Sequence, residues 1–361
     1  MTPFARRIAS AALALLGGGL PAFAAAGVEP EGPAARGGQD AVIVDEATEA
    51  VIRGALKYLA SKQQPNGAWA MADGEKHHVA MTGYTLMAFM AAGHLPEEGE
   101  YGKHVAAGGQ FLLESVKPDG FIQSGNSNMY GHGIAAIALT ELYGQTRDPR
   151  MRPKLQQVVR LILSCQNNQG GWRYAPRVGD ADISVTVLQA VALRAALNSG
   201  LEVPQAAIDR AVAFVRSCYH NDSTGGFTYQ PHNNSPGFAR TAAAVYSLQV
   251  CGQYDDPHVK KGSAYLAKAL PDMIKRQRDE WFTYGHFYAA PAQYMVGGET
   301  WKAWYTQLRD LLLKNVKRQG DVVYWEPQFD DGGHGQGPLY VTAVYTAILA
   351  MPYHYVPLYQ R

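Results

Sequence analysis

Residues 51–69 read VIRGALKYLASKQQPNGAW: apolar side chains at Ile52, Leu56 and Leu59 with helical spacing, then a turn at Gly67 and an aromatic, Trp69. The same ending returns at Gly120-Phe121, Gly170-Gly171-Trp172 and Gly225-Gly226-Phe227, with weaker copies at Trp281 and Trp325. The six aromatics are 52, 51, 55, 54 and 44 residues apart, a period of the kind that marks repeated supersecondary units. A helical pattern precedes each turn, as at Val158, Leu161 and Ile162. A short polar stretch follows it and leads into a second, more apolar and Ala-rich helix, beginning near Met81, Asn128, Asp182, Phe238 and Pro338. Several of these second helices end at Gly93, Gly144, Gly200 or Gly252, where a left-handed cap carries no Cβ penalty.

Two helix types per repeat imply two layers, the polar-faced helices outside and the Ala-rich helices inside. An open solenoid needs a polar capping repeat at each end, yet the last helix stays apolar through Val341, Val344, Ile348 and Leu349. We therefore expect an all-α fold, an α/α toroid of six two-helix repeats around a central cavity. Its inner helices would all start at one mouth.

At the N-terminus, Arg6 and Arg7 precede an apolar run from Ile8 to Leu20 and the small residues of Ala22-Phe23-Ala24, the pattern of a cleaved signal peptide over residues 1–24. The run is too short for a bilayer span and no later segment replaces it, so the expectation is a periplasmic or secreted protein with no transmembrane segment. Residues 25–45, rich in Ala, Gly, Pro and Glu, read as a flexible linker, and 46–361 as the toroid. Removing the leader takes away two basic residues of 32 and none of the 31 acidic ones, a balance near −1 that argues against nucleic acid as a partner. Export makes disulfides chemically possible, but Cys165 and Cys218 hold matching places in adjacent repeats, about one helix spacing of 8–10 Å apart, so three buried thiols are expected.

The spacing Arg53-Gly54, Tyr58-Leu59, Gln63, Gly67, Trp69 resembles the QW motif of squalene and hopene cyclases. Its second half returns at Gln166, Gly170 and Trp172, and its first half at Arg210-Ala211 with Phe214-Val215 and at Lys261-Gly262 with Tyr265-Leu266. The resemblance spans roughly Val51 to Pro352 and implies a member of the terpenoid cyclase and protein prenyltransferase superfamily, in which these residues brace the ring. Fold alone does not name a reaction.

For the reaction, the resemblance singles out Asp180-Ala181-Asp182-Ile183 at the third inner-helix start. Class II cyclases carry Asp-x-Asp-Asp there, the middle Asp protonating an alkene. By analogy Asp182 would be the acid and Asp180 its supporter, although Ile183 stands in the fourth position. The plain alternative is that Asp182 caps a helix. Prenyltransferase zinc chemistry finds no Asp-x-Cys pair at a helix start, because Cys165, Cys218 and Cys251 all come late in helices; no metal or other cofactor is expected. The Gly-rich run Gly332 to Gly337 lacks the Lys of a phosphate cradle.

The repeat places His77, His78, His132, His286 and His334 just after its aromatics, with Tyr130, Arg240, Tyr288 and Tyr340 nearby, a candidate ligand-binding rim for a headgroup or sugar. As tyrosines of a helical ring, they could equally be packing residues with wet hydroxyls. Three functions stay open: a cyclase-like enzyme or isoprenoid binder, a non-catalytic toroid that holds a lipid, glycan or protein, and a polysaccharide lyase with Arg240 as its base. The partner is thus a hydrophobic small molecule or a glycan. The squalene-type cyclases carry two barrels where this chain has residues for one, which weighs against the first; an aromatic cavity wall would favour it, and a polar His-rich and Tyr-rich groove would favour a glycan.

Overall fold

Asp45 opens the first helix by accepting a hydrogen bond from the Thr48 amide at 2.8 Å, and α1 then runs Glu46–Ser61. The computed structural model of the chain describes residues 42–71, 77–125, 127–276, 281–327 and 337–359. The leader, nearly all of the linker and His334 lie outside the described residues. Val42 and Val44, at the end of the expected linker, pack against the core.

The outer helices after α1 are α3 (Gly102–Glu114), α5 (Met151–Cys165), α7 (Gln205–Ser217), α9 (Pro257–Arg276) and α11 (Gly298–Lys314). The inner ones are α2 (His78–Ala91), α4 (Met129–Thr146), α6 (Ile183–Asn198), α8 (Phe238–Val250), α10 (Phe282–Val296) and α12 (Gly337–Ala350). Each inner helix packs against the next and α12 packs back on α2, so the ring is closed. Burial follows the two layers. In α5 only a stripe including Leu155, Val158, Val159 and Ile162 is buried, whereas in α6 every residue from Ile183 to Leu193 is.

The repeat is held by backbone groups that side chains satisfy. Gln63 donates to the carbonyls of Gly67 and His104, both at 2.9 Å, and Gln166 to those of Gly170 and Ala207, both at 2.8 Å, tying each turn to the next outer helix. The indole N–H groups of Trp69, Trp172 and Trp325 donate to Leu59, Ile162 and Leu312 at the preceding helix end. Their backbone amides meet Thr82, Thr186 and Thr342, and that of Phe227 meets Thr241.

Two repeat assignments shift. Counting from the left-handed glycines Gly67, Gly120, Gly170 and Gly225, the counterpart of Trp69 in the second repeat is the buried Ile122 and not Phe121. Trp281 is not an interlayer aromatic either: it is the N-cap of α10, at φ 69°. In the sixth repeat a hairpin, β1 (Lys317–Gln319) and β2 (Val322–Tyr324), leads into Trp325.

The three cysteines are buried thiols, and burial pushes those of Cys218 and Cys251 up to about 12. Toward the far end of the ring, Glu141 of α4 is buried and accepts from the Leu358 amide at 3.3 Å, where the C-terminal segment packs with Tyr359 beside it. Burial pushes this carboxyl up to about 7 from an ordinary 4.5, opposed by that amide. The folded chain thus keeps a proton that the unfolded chain releases. Glu141 contributes full stability below pH 4.5 and loses it as pH rises to about 7, on the order of 3 kcal/mol in all. Glu141→Gln should remove that slope, measured as the difference from wild type in urea midpoints across pH 4.5–8; parallel profiles would refute the assignment.

Candidate functional site

Because the six inner helices start at one end of the ring, their first turns surround a common cavity of about 720 Å³. Seven aromatic side chains line it: Tyr84, Tyr130, Tyr174, Tyr229, Trp281, Tyr284 and Tyr340. Met71, Ala80, Met81, Ile183 and Ala239 add apolar wall, and Ser184, Asn128, Asn233, His77 and Arg240 add polar groups. Asn128 is committed to the fold, its side-chain oxygen capping α4 through the amides of Tyr130 and Gly131. Arg240 donates to the Ser235 carbonyl, and among the described residues no carboxylate pairs with it. No Asp or Glu among the described residues lines the cavity.

Of the rim expected from sequence, His77, Tyr130, Arg240 and Tyr340 are at the cavity. Tyr288 is buried within reach of Tyr130 and Tyr284, whose hydroxyls influence its titration, but it stands behind the wall. His78 is half-buried with its ring edge-on to Phe111, 6.4 Å between centroids, and is not part of the wall.

His132 and His286 are corrections, because both are buried inside the helix layers. His132 takes the place of the repeat threonine: its Nδ1 accepts from the Ile122 amide at 3.1 Å while its ring stacks on Phe121. His286 bonds through Nδ1 to the Phe282 carbonyl at 2.8 Å and sits among Phe238, Phe282 and Trp304. Burial lowers them to about 3 and about 4, so both are neutral at physiological pH and belong to the packing.

Asp182 is likewise buried and outside the cavity wall. As N-cap of α6 it accepts from the Val185 amide at 3.0 Å and from the Ser184 hydroxyl, and its other oxygen pairs with Arg173 at 2.9 Å. Asp180 is half-exposed and meets the same guanidinium at 3.2 Å. Arg173 lies over the rings of Tyr174 and Tyr229, which do line the cavity, as does Ser184, bonded to the Tyr174 hydroxyl at 3.1 Å. The Asp-Ala-Asp segment thus braces the wall from behind. An acid that protonates an alkene must aim an O–H at it, and here Ser184 and Tyr174 occupy that position.

Sequence reasoning missed Tyr84, Tyr174, Tyr229, Trp281 and Tyr284. One signal was available, the spacing of four between Tyr284 and Tyr288 on an otherwise apolar helix. Tyr84 carried no local mark.

The family model of the prenyltransferase alpha-alpha toroid domain matches residues 40–178 and 120–286. Among solved structures, the type II terpene cyclase MstE from Scytonema is 13% identical with a TM-score of 0.58, covering 86% of this chain and 99% of its own. The α-1,6-mannanase of Salegentibacter sp. in complex with α-1,6-mannotriose is 8% identical, TM-score 0.62, over 85% and 99%. Cellobiose 2-epimerase from Spirochaeta thermophila is 13% identical, TM-score 0.62, over 85% and 95%. No curated protein matches the chain. The match takes in nearly all of MstE.

Proposed function

We propose, from the premise that this chain belongs to the prenyltransferase alpha-alpha toroid family, that it encloses one isoprenoid-class molecule in the cavity, its hydrocarbon on the aromatic wall and its headgroup toward Arg240. The observation that carries this is the wall itself: seven aromatic rings around about 720 Å³, the size of a site for one small molecule. Broad ring faces suit an unsaturated hydrocarbon, and the Arg240 guanidinium, which meets no carboxylate among the described residues, suits an anionic headgroup. The export expected from residues 1–24 belongs to the same proposal.

Cyclisation is the catalytic extension of this reading, and Asp182 is its candidate acid. Its position behind Ser184 leads us to place binding, rather than protonation, at the centre. A glycan is the competing occupant, since the mannanase of the same fold was solved with mannotriose.

Titration of the full chain with geranylgeranoic acid, geranylgeraniol and mannotriose, followed by calorimetry, separates these. The acid and the alcohol should bind, and Arg240→Gln should weaken the acid about tenfold while leaving the alcohol unchanged, the expected loss of a charge-assisted hydrogen bond. Mannotriose binding with neither isoprenoid bound would replace this reading by the glycan one.

A further inference from the structure

A second, smaller groove of about 420 Å³ lies beside the mouth, between the turn before Trp172, the end of α7 and the segment after Tyr229. Gln169, Gln230, His232 and Asn233 bring amide and imidazole groups to it, and Pro231 and the buried Phe214 supply apolar surface. Asn233 lines this groove and the central cavity alike, so it stands at the divide between the two.

The dividing segment is fixed in place from both sides. The Ile183 amide donates to the Tyr229 carbonyl at 3.0 Å and Gln230 to the Ala181 carbonyl at 2.8 Å, at the start of α6. Thr228 donates to the Cys218 carbonyl at 3.0 Å, at the end of α7. Tyr229 thus lines the cavity, the next four residues line the groove, and the chain is back at the cavity by Ala239 and Arg240. Arg240 donates to the carbonyl of Ser235, two residues past Asn233, which sets its guanidinium close to the divide. Aromatic wall, guanidinium and groove follow one another in that order.

The groove's lining narrows what it can hold. Among the described residues it has no Lys or Arg to take an anion and no Asp or Glu to take a cation. The side chains of Gln169, His232 and Asn233 are exposed and make no hydrogen bond among the described residues. Gln230 keeps its amide oxygen, and the Ser217 hydroxyl, which donates to the Phe214 carbonyl, can still accept. Groups that both donate and accept, set around a proline ring, match a neutral ring rich in hydroxyls. We infer that the groove is the outer subsite of the cavity and takes a neutral sugar, so that the occupant is a glycosyl phosphoryl isoprenoid. Its chain lies on the aromatic wall, its phosphodiester at Arg240 and its sugar past Asn233. A phosphodiester carries the sugar one oxygen away from the charged phosphorus, the same order in which Arg240 and Asn233 stand. This rests on the isoprenoid reading above and names its headgroup.

The test titrates the full chain calorimetrically with three phosphodiesters that share one chain and one charge: methyl geranylgeranyl phosphate and its glucosyl and mannosyl counterparts. Wild type should bind at least one glycosyl diester about tenfold more tightly than the methyl diester, the gain expected of about two neutral hydrogen bonds. Gln169→Ala, at a position that lines only the groove, should reduce that ratio about threefold, and Gln169→Trp, which fills the groove, should bring it to about one or below. Both variants should melt with the wild type, because Gln169 is exposed. Arg240→Gln should weaken all three diesters by a similar factor, since the phosphate is common to them. Equal binding of the methyl and both glycosyl diesters by wild type overturns the sugar subsite and leaves the isoprenoid cavity standing. A preference for sugar that survives unchanged in both Gln169 variants places the sugar elsewhere and overturns the subsite as well. Failure of all three diesters to bind overturns the isoprenoid reading and the subsite with it.

Discussion

Asp182→Ala is expected to destabilise the ring by about 3–4 kcal/mol, and Asp182→Asn by roughly half of that, measured by urea unfolding at neutral pH. The carboxylate is buried and joins three partners, the Arg173 guanidinium, the Ser184 hydroxyl and the Val185 amide. Alanine removes the helix cap, worth about 1 kcal/mol, and leaves the partly buried Arg173 without its inner partner, Asp180 remaining only at the exposed edge. Asparagine still caps but cannot balance the charge. The size of this effect separates bracing from catalysis. A dispensable acid would let Asp182→Asn melt like the wild type while losing product with a polyprenyl substrate. That outcome would restore Asp182 as a proton donor and remove the structural account of the Asp180-Ala181-Asp182 segment.

The repeat turn should be equally sensitive. Gly170 has φ 92°, and a methyl group there would overlap the carbonyl oxygen of Arg210 on the next outer helix, so Gly170→Ala meets a strained backbone and a backbone clash together. A loss of about 3–4 kcal/mol is expected. Trp172→Ala should cost about as much, 3–5 kcal/mol, because it empties a fully buried site and orphans the Ile162 carbonyl that the indole satisfies at 2.8 Å. Gly179→Ala, in the same connection but with open space around it, is the control and should change little. If Gly170→Ala unfolded at the same urea concentration as Gly179→Ala, the turn would not be the fixed joint between repeats that the hydrogen bonds of Gln166 imply.

Much of the fold was legible because its determinants are local. Asn128 and Asp182 cap the helices whose starts they mark, and Gly93, Gly200 and Gly252 adopt the positive φ that ends a helix. Gln63 and Gln166 reach a carbonyl only four residues away. Errors came where spacing was read without hydrogen-bonding equivalence: Phe121 was counted in place of Ile122, and Trp281 as an interlayer residue. His132 and His286 were read as rim residues from their distance to those aromatics, whereas burial and their Nδ1 bonds make them packing groups.

The sequence by itself determined the two-layer helical ring, because turn glycines, caps and the contrast between one-sided and all-round apolar helices are properties of segments about 15 residues long. Only the tertiary structure decided which residues face the hole. The inner helices are apolar on nearly every side, so no hydrophobic face in the sequence tells which way Tyr84, Tyr284 or Tyr288 turns. Their rotation is set by packing between helices far apart in the chain. It is that packing, closing α12 onto α2, that gathers Tyr84, Tyr130, Tyr284 and Tyr340 at one cavity and leaves Asp182 behind its wall.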